Sequence, residues 1–373
     1  MLIEDKGLLG GTMACSFPAS PDAVNAAWLT EVLQSRKVLS NAEAIAKVEV
    51  CPVGAGFGQT GDSVRLKLEY ANRDAAHHAP ASLFAKFATT DATRRAASKT
   101  IGLYQREINF YNVLVKSVRV RAPMCHFADI STDGEFFALI LEDFPDHRAG
   151  DETVGLKLHE AELAVDLMAQ LHGPYWGKMK QVDLAPLQMP PRAKFEAAWQ
   201  EMENRFGDYV PDSVRRAREA YLDAIGPLQE WLFAQPATLG HGDLRLDNLL
   251  FGPDERDPIV AVDWQAVRPS KGIRDFSYLV SHSMDVEARR AHEAGLIRRY
   301  TEQISQFGIP YSVAEATEDY RRAMLFDFCT VIYIVGININ THERAVRRKN
   351  ALMKRSITAM LDWDVFELLP EFR

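Results

Sequence analysis

The pattern of apolar and polar positions in the first 150 residues predicts three strands, one of them by strict alternation. In "VEVCPVGAGFGQTGDSVRLKLEY", Val64, Leu66, Leu68 and Tyr70 alternate with polar residues, which predicts a half-buried strand after a glycine cluster. "ASLFAKFA" predicts a second strand, and "FFALILEDF" (136–144) a third with a nearly continuous apolar run. Between these two, "SKTIGLYQREINFYNVLVKS" places Ile101, Tyr104, Ile108 and Tyr111 on one helical stripe. After Phe144 the period lengthens: Ala164, Leu167, Met168 and Leu171 share one helical face. The rest of the chain reads mostly as helix, apart from "LGHGDLRLDNLLFGP" (239–253) and "IVAVDWQ". The pattern predicts an α+β chain: an extension and leading helix over 1–40, a small β-rich lobe over 41–145 and a larger, mainly helical lobe over 146–373. The hinge falls near 143–150.

Composition narrows the class. With 373 residues, 47% of them hydrophobic and 25% charged, the chain suits a globular protein of two or three domains. The net charge of −8 argues against nucleic acid or an anionic membrane surface as partner, since both demand a basic face. Cys15, Cys51, Cys125 and Cys329 form no C-x-x-C pair and read as thiols in a reducing compartment. Cys125 beside His126 reads as packing, and no metal is assigned there. The longest apolar run, Phe328 to Ile337, is too short to span a bilayer and predicts a buried helix. The N-terminus lacks a basic-then-apolar signal pattern, which predicts a cytoplasmic protein; Met13 offers a second start, and the first dozen residues are expected to be loose.

Gly54, Gly56, Gly58 and Gly61 include a G-x-G-x-x-G match. A dinucleotide-binding oxidoreductase would need a helix directly after Gly61. The segment that follows has period two, so the loop joins strands, either as a plain glycine-rich hairpin or as a flap whose N–H groups close over a nucleotide triphosphate. Lys86 lies inside an apolar strand and needs an anionic partner there. Glu107 on the following helix is the candidate, and the pair would aim the lysine at the α- and β-phosphates. A lysine reaching to solvent from an edge strand is the plainer alternative.

"HGDLRLDN" supplies what phosphoryl transfer needs: a carboxylate that receives a hydroxyl proton, and oxygens for Mg²⁺. Asp243 takes the first role. Asn248, five residues on, and Asp263, at the end of "PIVAVDWQ", take the second. His241 braces the loop by hydrogen bonding. Arg245 either reaches the γ-phosphate or faces solvent, and Asp247 reads as a loop residue or a supporting partner.

Taken together, "LILEDF", "REINFYN", "HGDLRLDNLLF", "VDWQ" and "GIRDFSYLV" resemble the aminoglycoside phosphotransferase and choline kinase superfamily over about residues 45–340, most of all its ecdysteroid-kinase-like branch and bacterial homologues. The resemblance implies a bilobal protein-kinase-like fold and transfer of the γ-phosphate of ATP to a hydroxyl of a small molecule. By it Asp243 is the catalytic aspartate, Asn248 and Asp263 are Mg²⁺ ligands, and Lys86 and Glu107 form the lobe-bridging pair. The backbone near Glu142, Asp143 and Phe144 would hold the adenine, and Asp275 would steady the catalytic loop. Where protein kinases carry Asp-Phe-Gly, this chain reads Asp263-Trp264-Gln265, and Asp275 follows Asp263 by only twelve positions. That leaves no room for a long activation segment and favours a small-molecule acceptor over a peptide. Asp285, Tyr320, Asp327 and Tyr333 are candidates for the acceptor pocket, though each reads first as structural. The basic stretch "RAVRRKNALMKR" (344–355) reads first as a solvated helix face and second as a site for an anionic substrate or cofactor tail. The alternative to an active kinase is a nucleotide-binding pseudokinase or scaffold of the same fold.

Overall fold

The computed structural model describes residues 16–53, 61–182, 184, 189–337 and 341–372. They form two compact units, one of residues up to 116 together with 122–145, the other of 117–121 together with 146 onward.

The first unit is built on a five-stranded antiparallel sheet: β1 (Ile45–Pro52), β2 (Gly61–Tyr70), β3 (Ser82–Ala88), β4 (Cys125–Ile130) and β5 (Phe137–Glu142), in the order β1-β2-β3-β5-β4. Among the described residues it is accompanied by the helices α1 (Ala26–Ser35), α2 (Arg73–His78), α3 (Ala92–Ile101) and α4 (Leu103–Asn112). Alternation buries Val64, Leu66 and Leu68 of β2 with Leu83, Ala85 and Phe87 of β3, and Leu29 and Leu33 of α1 close the same core. The single stripe expected through Ile101 is interrupted. Gly102, at φ 76°, ends α3 and starts α4, so Tyr104, Ile108 and Tyr111 are buried while Ile101 is exposed. Because the segment after Gly61 is the strand β2, the helix that a dinucleotide fold requires there is absent.

Among its described residues the second unit holds five short strands in two small sheets. β6 (Arg148–Ala149), β8 (Leu249–Phe251) and β9 (Ile259–Ala261) form one, and β7 (Thr238–Gly240) with β10 (Arg268–Ser270) the other. The helices are α5 (Leu158–His172), α6 (Arg192–Phe206), α7 (Asp212–Arg216), α8 (Arg218–Phe233), α9 (Ile273–Ser283), α10 (Val286–Ser305), α11 (Val313–Ile337) and α12 (Glu343–Asp362). Trp199, Tyr221 and Phe328, from α6, α8 and α11, meet with ring centroids 5.1–5.9 Å apart and centre the core. The apolar run from Phe328 is the last part of α11, and no helix among the described residues is long and apolar enough to cross a membrane. Cys51, Cys125 and Cys329 are free thiols, and burial pushes Cys125 and Cys329 up to about 12.

Candidate active site

In the first unit Lys86 lies in mid-strand, opposite Ser63 of β2 and Leu139 of β5. Its ammonium donates to both carboxylate oxygens of Glu107 on α4, at 2.8 and 2.7 Å. Both side chains are buried, so each supplies the opposite charge that the other's burial demands. At the end of β5, Asp143 accepts from Arg65 Nε at 2.6 Å and Ser82 Oγ at 2.5 Å. Its other oxygen accepts from the Phe144 N–H at 3.0 Å, so that amide is already engaged, and Glu142 accepts from the Met124 N–H at 3.0 Å. Gly56 and Gly58 lie outside the described residues.

In the second unit the octapeptide forms a loop between β7 and β8. Gly242, at φ 82°, makes the turn, and a Cβ there would lie 2.1 Å from the Ala266 carbonyl oxygen, so only glycine fits. A 3₁₀ turn over Leu246–Asn248 brings Asn248 back to Asp243. Its Nδ2 donates to the Asp243 carbonyl at 2.8 Å and to Oδ2 at 3.2 Å. Arg245 Nε approaches the same Oδ2 at 3.4 Å, whereas Asp243 Oδ1 accepts no hydrogen bond among the described residues. The Asn248 amide oxygen is likewise without a donor there. The β8–β9 pairing continues one step, as Val262 N–H donates to the Asn248 carbonyl at 3.0 Å, which sets Asp263 beside the loop.

Asp263 itself is at φ 68°, ψ 65°, a left-handed conformation that costs a non-glycine residue about 1–3 kcal/mol. Gln265 Nε2 donates to its Oδ2 at 3.1 Å, and Trp264 anchors the next turn by donating to the Ala261 carbonyl at 3.0 Å. His241 lies between the pieces. Its Nδ1 accepts from the Asp243 N–H at 3.3 Å and its Nε2 donates to the Val262 carbonyl at 3.1 Å, which the neutral Nε2–H tautomer satisfies. Burial lowers its pKa against the pull of Asp275, Asp243 and Asp263, three carboxylates within electrostatic reach of one ring.

Asp275 holds the loop from α9. Its carboxylate accepts the His241 N–H at 2.6 Å and the Gly242 N–H at 3.0 Å, and His172 Nε2 lies 3.3 Å away with Tyr300 Oη on the other ring nitrogen at 2.8 Å. Burial opposes its charge, but the His172 hydrogen bond and the Arg274 guanidinium outweigh it and hold the carboxyl well below the ordinary range. Arg274 and Arg268 both donate to the Gly242 carbonyl, at 2.5 and 3.0 Å, and Arg274 Nε pairs with Asp327 at 2.8 Å. Burial, then Arg274, brings Arg268 down to about 10.

Glu152, which the sequence did not single out, gathers the far side. It pairs with Arg245 Nη1 at 3.6 Å and with Arg348 of α12, and its N–H donates to Asp247 at 3.0 Å. Arg344 reaches Asp151 at 3.2 Å and Asp247 at 3.6 Å, and Arg355 pairs with Asp285 at 2.7 Å. The basic stretch is therefore not simply a solvated face: one side of α12 is fastened to acids beside the loop, and Arg245 is held among three acids rather than facing solvent. Asp327 and Tyr320 are buried structural partners of Arg274 and Glu293, and Tyr333 packs on Phe195.

Among the described residues no three His, Cys, Asp or Glu side chains gather as a self-sufficient metal site. One carboxylate and one amide oxygen, from Asp263 and Asn248, suit a hard cation that keeps phosphate and water as its other ligands.

Solved small-molecule kinases share this architecture. The structure of a microcompartment-associated aminopropanol kinase aligns over 92% of this chain and 99% of its own, with a TM-score of 0.55 and 13% identity. A candidate aminoglycoside phosphotransferase from Ralstonia eutropha aligns over 91% and 98%, with a TM-score of 0.54 and 15% identity. The GDP complex of aminoglycoside 2'-phosphotransferase-IIIa aligns over 90% and 100%, with a TM-score of 0.52 and 14% identity. The fold is that of the protein-kinase-like small-molecule phosphotransferases. Residues 59–308 match the ecdysteroid kinase-like family, and the chain belongs to it. A segment of 84 residues is also 33% identical to acyl-CoA dehydrogenase family member 10 of Mus musculus, but it spans 19% of this chain and only 8% of that protein.

Proposed function

We propose that the chain transfers the γ-phosphate of ATP to a hydroxyl group of a small molecule. Asp243 orients the acceptor hydroxyl and takes its proton as the oxygen attacks. The observation that supports this is the disposition of its carboxylate: Oδ2 is fixed by Asn248 and Arg245 while Oδ1 keeps its acceptor capacity. Asn248 and Asp263 would hold Mg²⁺, which would supply charge neutralisation on the phosphates. His241, neutral and hydrogen-bonded on both ring nitrogens, keeps the Asp243 and Val262 backbones together. Arg245, anchored by Glu152 and Asp247, presents a cation beside Asp243 for the transferred group. Lys86, oriented by Glu107, takes the nucleotide phosphates.

The test is to incubate the purified chain with Mg-ATP and a library of hydroxylated metabolites and to read products by mass. An acceptor heavier by one phosphoryl group, with matching ADP, supports the proposal. Tight nucleotide binding with no phosphorylated product across the library would favour the scaffold reading instead.

A further inference from the structure

Behind the loop that Asp275 holds, the second unit contains a cavity of about 710 Å³ that the phosphotransfer reading does not use. The volume lies in the range of small-molecule sites. Its walls come from the segment after α5, the turn before α9 and the start of α11. Trp176 and Tyr311 form an aromatic corner, with ring centroids 5.0 Å apart at 55°. Lys271 stands on the floor beside Gly272.

The charges in this cavity are not balanced alike. Tyr311 Oη donates to Asp319 at 2.9 Å, Glu315 accepts from the Ser312 hydroxyl at 2.7 Å, and Glu318 pairs with Arg321 at 3.2 Å. Arg322 is bound to Glu371 at 3.1 Å and also reaches Asp319 at 3.8 Å. Lys271 is the exception: half-buried, its ammonium has no hydrogen bond and no ion pair among the described residues. Burial lowers its pKa, and the nearby charge of Asp319 partly offsets this. A cation half withdrawn from water, with no anion in contact, favours an incoming one.

The geometry points to a second ligand site here, for a small carboxylate on an aromatic or branched apolar frame, with the carboxylate on Lys271 and the frame against Trp176 and Tyr311. The floor is shared with the loop's brace. A Cβ on Gly272 would lie 2.5 Å from Tyr300 Oη and 2.8 Å from His172 Nδ1, so the site backs directly onto the Tyr300–His172–Asp275 chain.

Calorimetric titration of the full chain tests this with four probes: benzoate, benzyl alcohol, benzylamine and inorganic phosphate. Benzoate is expected to bind at least tenfold more tightly than the other three. Lys271→Met should weaken benzoate at least tenfold, and Lys271→Arg should keep most of the affinity. Ala314→Phe, an exposed position at the rim, should also weaken it by filling the space, and does not depend on Lys271 variants folding. The site is refuted if benzoate fails to bind, if the alcohol or amine binds as tightly, or if benzoate affinity is unchanged in Lys271→Met or Ala314→Phe.

Discussion

Two buried charges, Lys86 in the first unit and Asp275 in the second, are stabilised in different ways. In the first, Lys86 and Glu107 meet side chain to side chain, a strand residue facing a helix residue. In the second, the carboxylate of Asp275 is spent largely on peptide groups, the N–H of His241 and of Gly242, while two arginines take the carbonyl of the same glycine. A side-chain pair can be replaced as a pair. A carboxylate that satisfies backbone cannot, because the peptide N–H groups stay whatever the neighbouring side chains become. The first arrangement orients one group; the second fixes the path of the chain through the residues proposed for chemistry.

The largest effect expected within the loop is on rate. Asp243→Asn keeps the shape and the contact with Asn248 but cannot take a proton, so phosphoryl transfer should fall about a thousandfold or more while Mg-ATP affinity, measured by titration, changes little. Stability separates the two units next. Asp275→Ala should cost about 3–5 kcal/mol in urea unfolding, and adding His172→Leu should recover little of it. Lys86→Met should cost a comparable amount by leaving Glu107 uncompensated, yet adding Glu107→Leu should return most of the loss without restoring turnover. If both double variants recover alike, the distinction between side-chain and backbone partners is wrong.

A smaller effect sharpens the comparison through pH. Burial, helped by Arg274 and Arg348, brings His282 down to about 3, and Asp275 is held below the ordinary carboxylate range. Each therefore binds fewer protons folded than unfolded. The His282 contribution is present above its ordinary pKa near 6.5 and is lost as pH falls from there towards 3; the Asp275 contribution follows below about 4. His282→Gln should flatten the stability slope between pH 6 and 4 by up to about 1.4 kcal/mol per pH unit.

The sequence made local chemistry legible and distant support nearly invisible. Asp243 and Asn248 lie five positions apart, and Lys86 announced itself as a charge inside an apolar strand, so spacing and patterning were enough to select them. Glu152 carried no such mark: its partners in the loop and in α12 lie 95 and 196 residues away. The basic stretch at 344–355 misled for the same reason, since helical periodicity shows that Arg344, Arg348 and Arg355 can share a side but not that acids wait opposite. The stripe through Ile101 failed differently. Gly102 was in plain view, and its left-handed conformation outweighed a regular apolar spacing. Arg268, Arg274 and His172 joined the brace through contacts that only the fold creates.

The central claim is that Asp263 holds a divalent cation for the nucleotide in the second unit. Its most direct test is ATP affinity measured by titration with Mg²⁺ and with EDTA, in the unmodified chain and in Asp263→Ala. The account expects Mg²⁺ to tighten ATP binding at least tenfold in the unmodified chain and the gain to vanish in the variant. A variant that folds and keeps the full magnesium-dependent gain would contradict it.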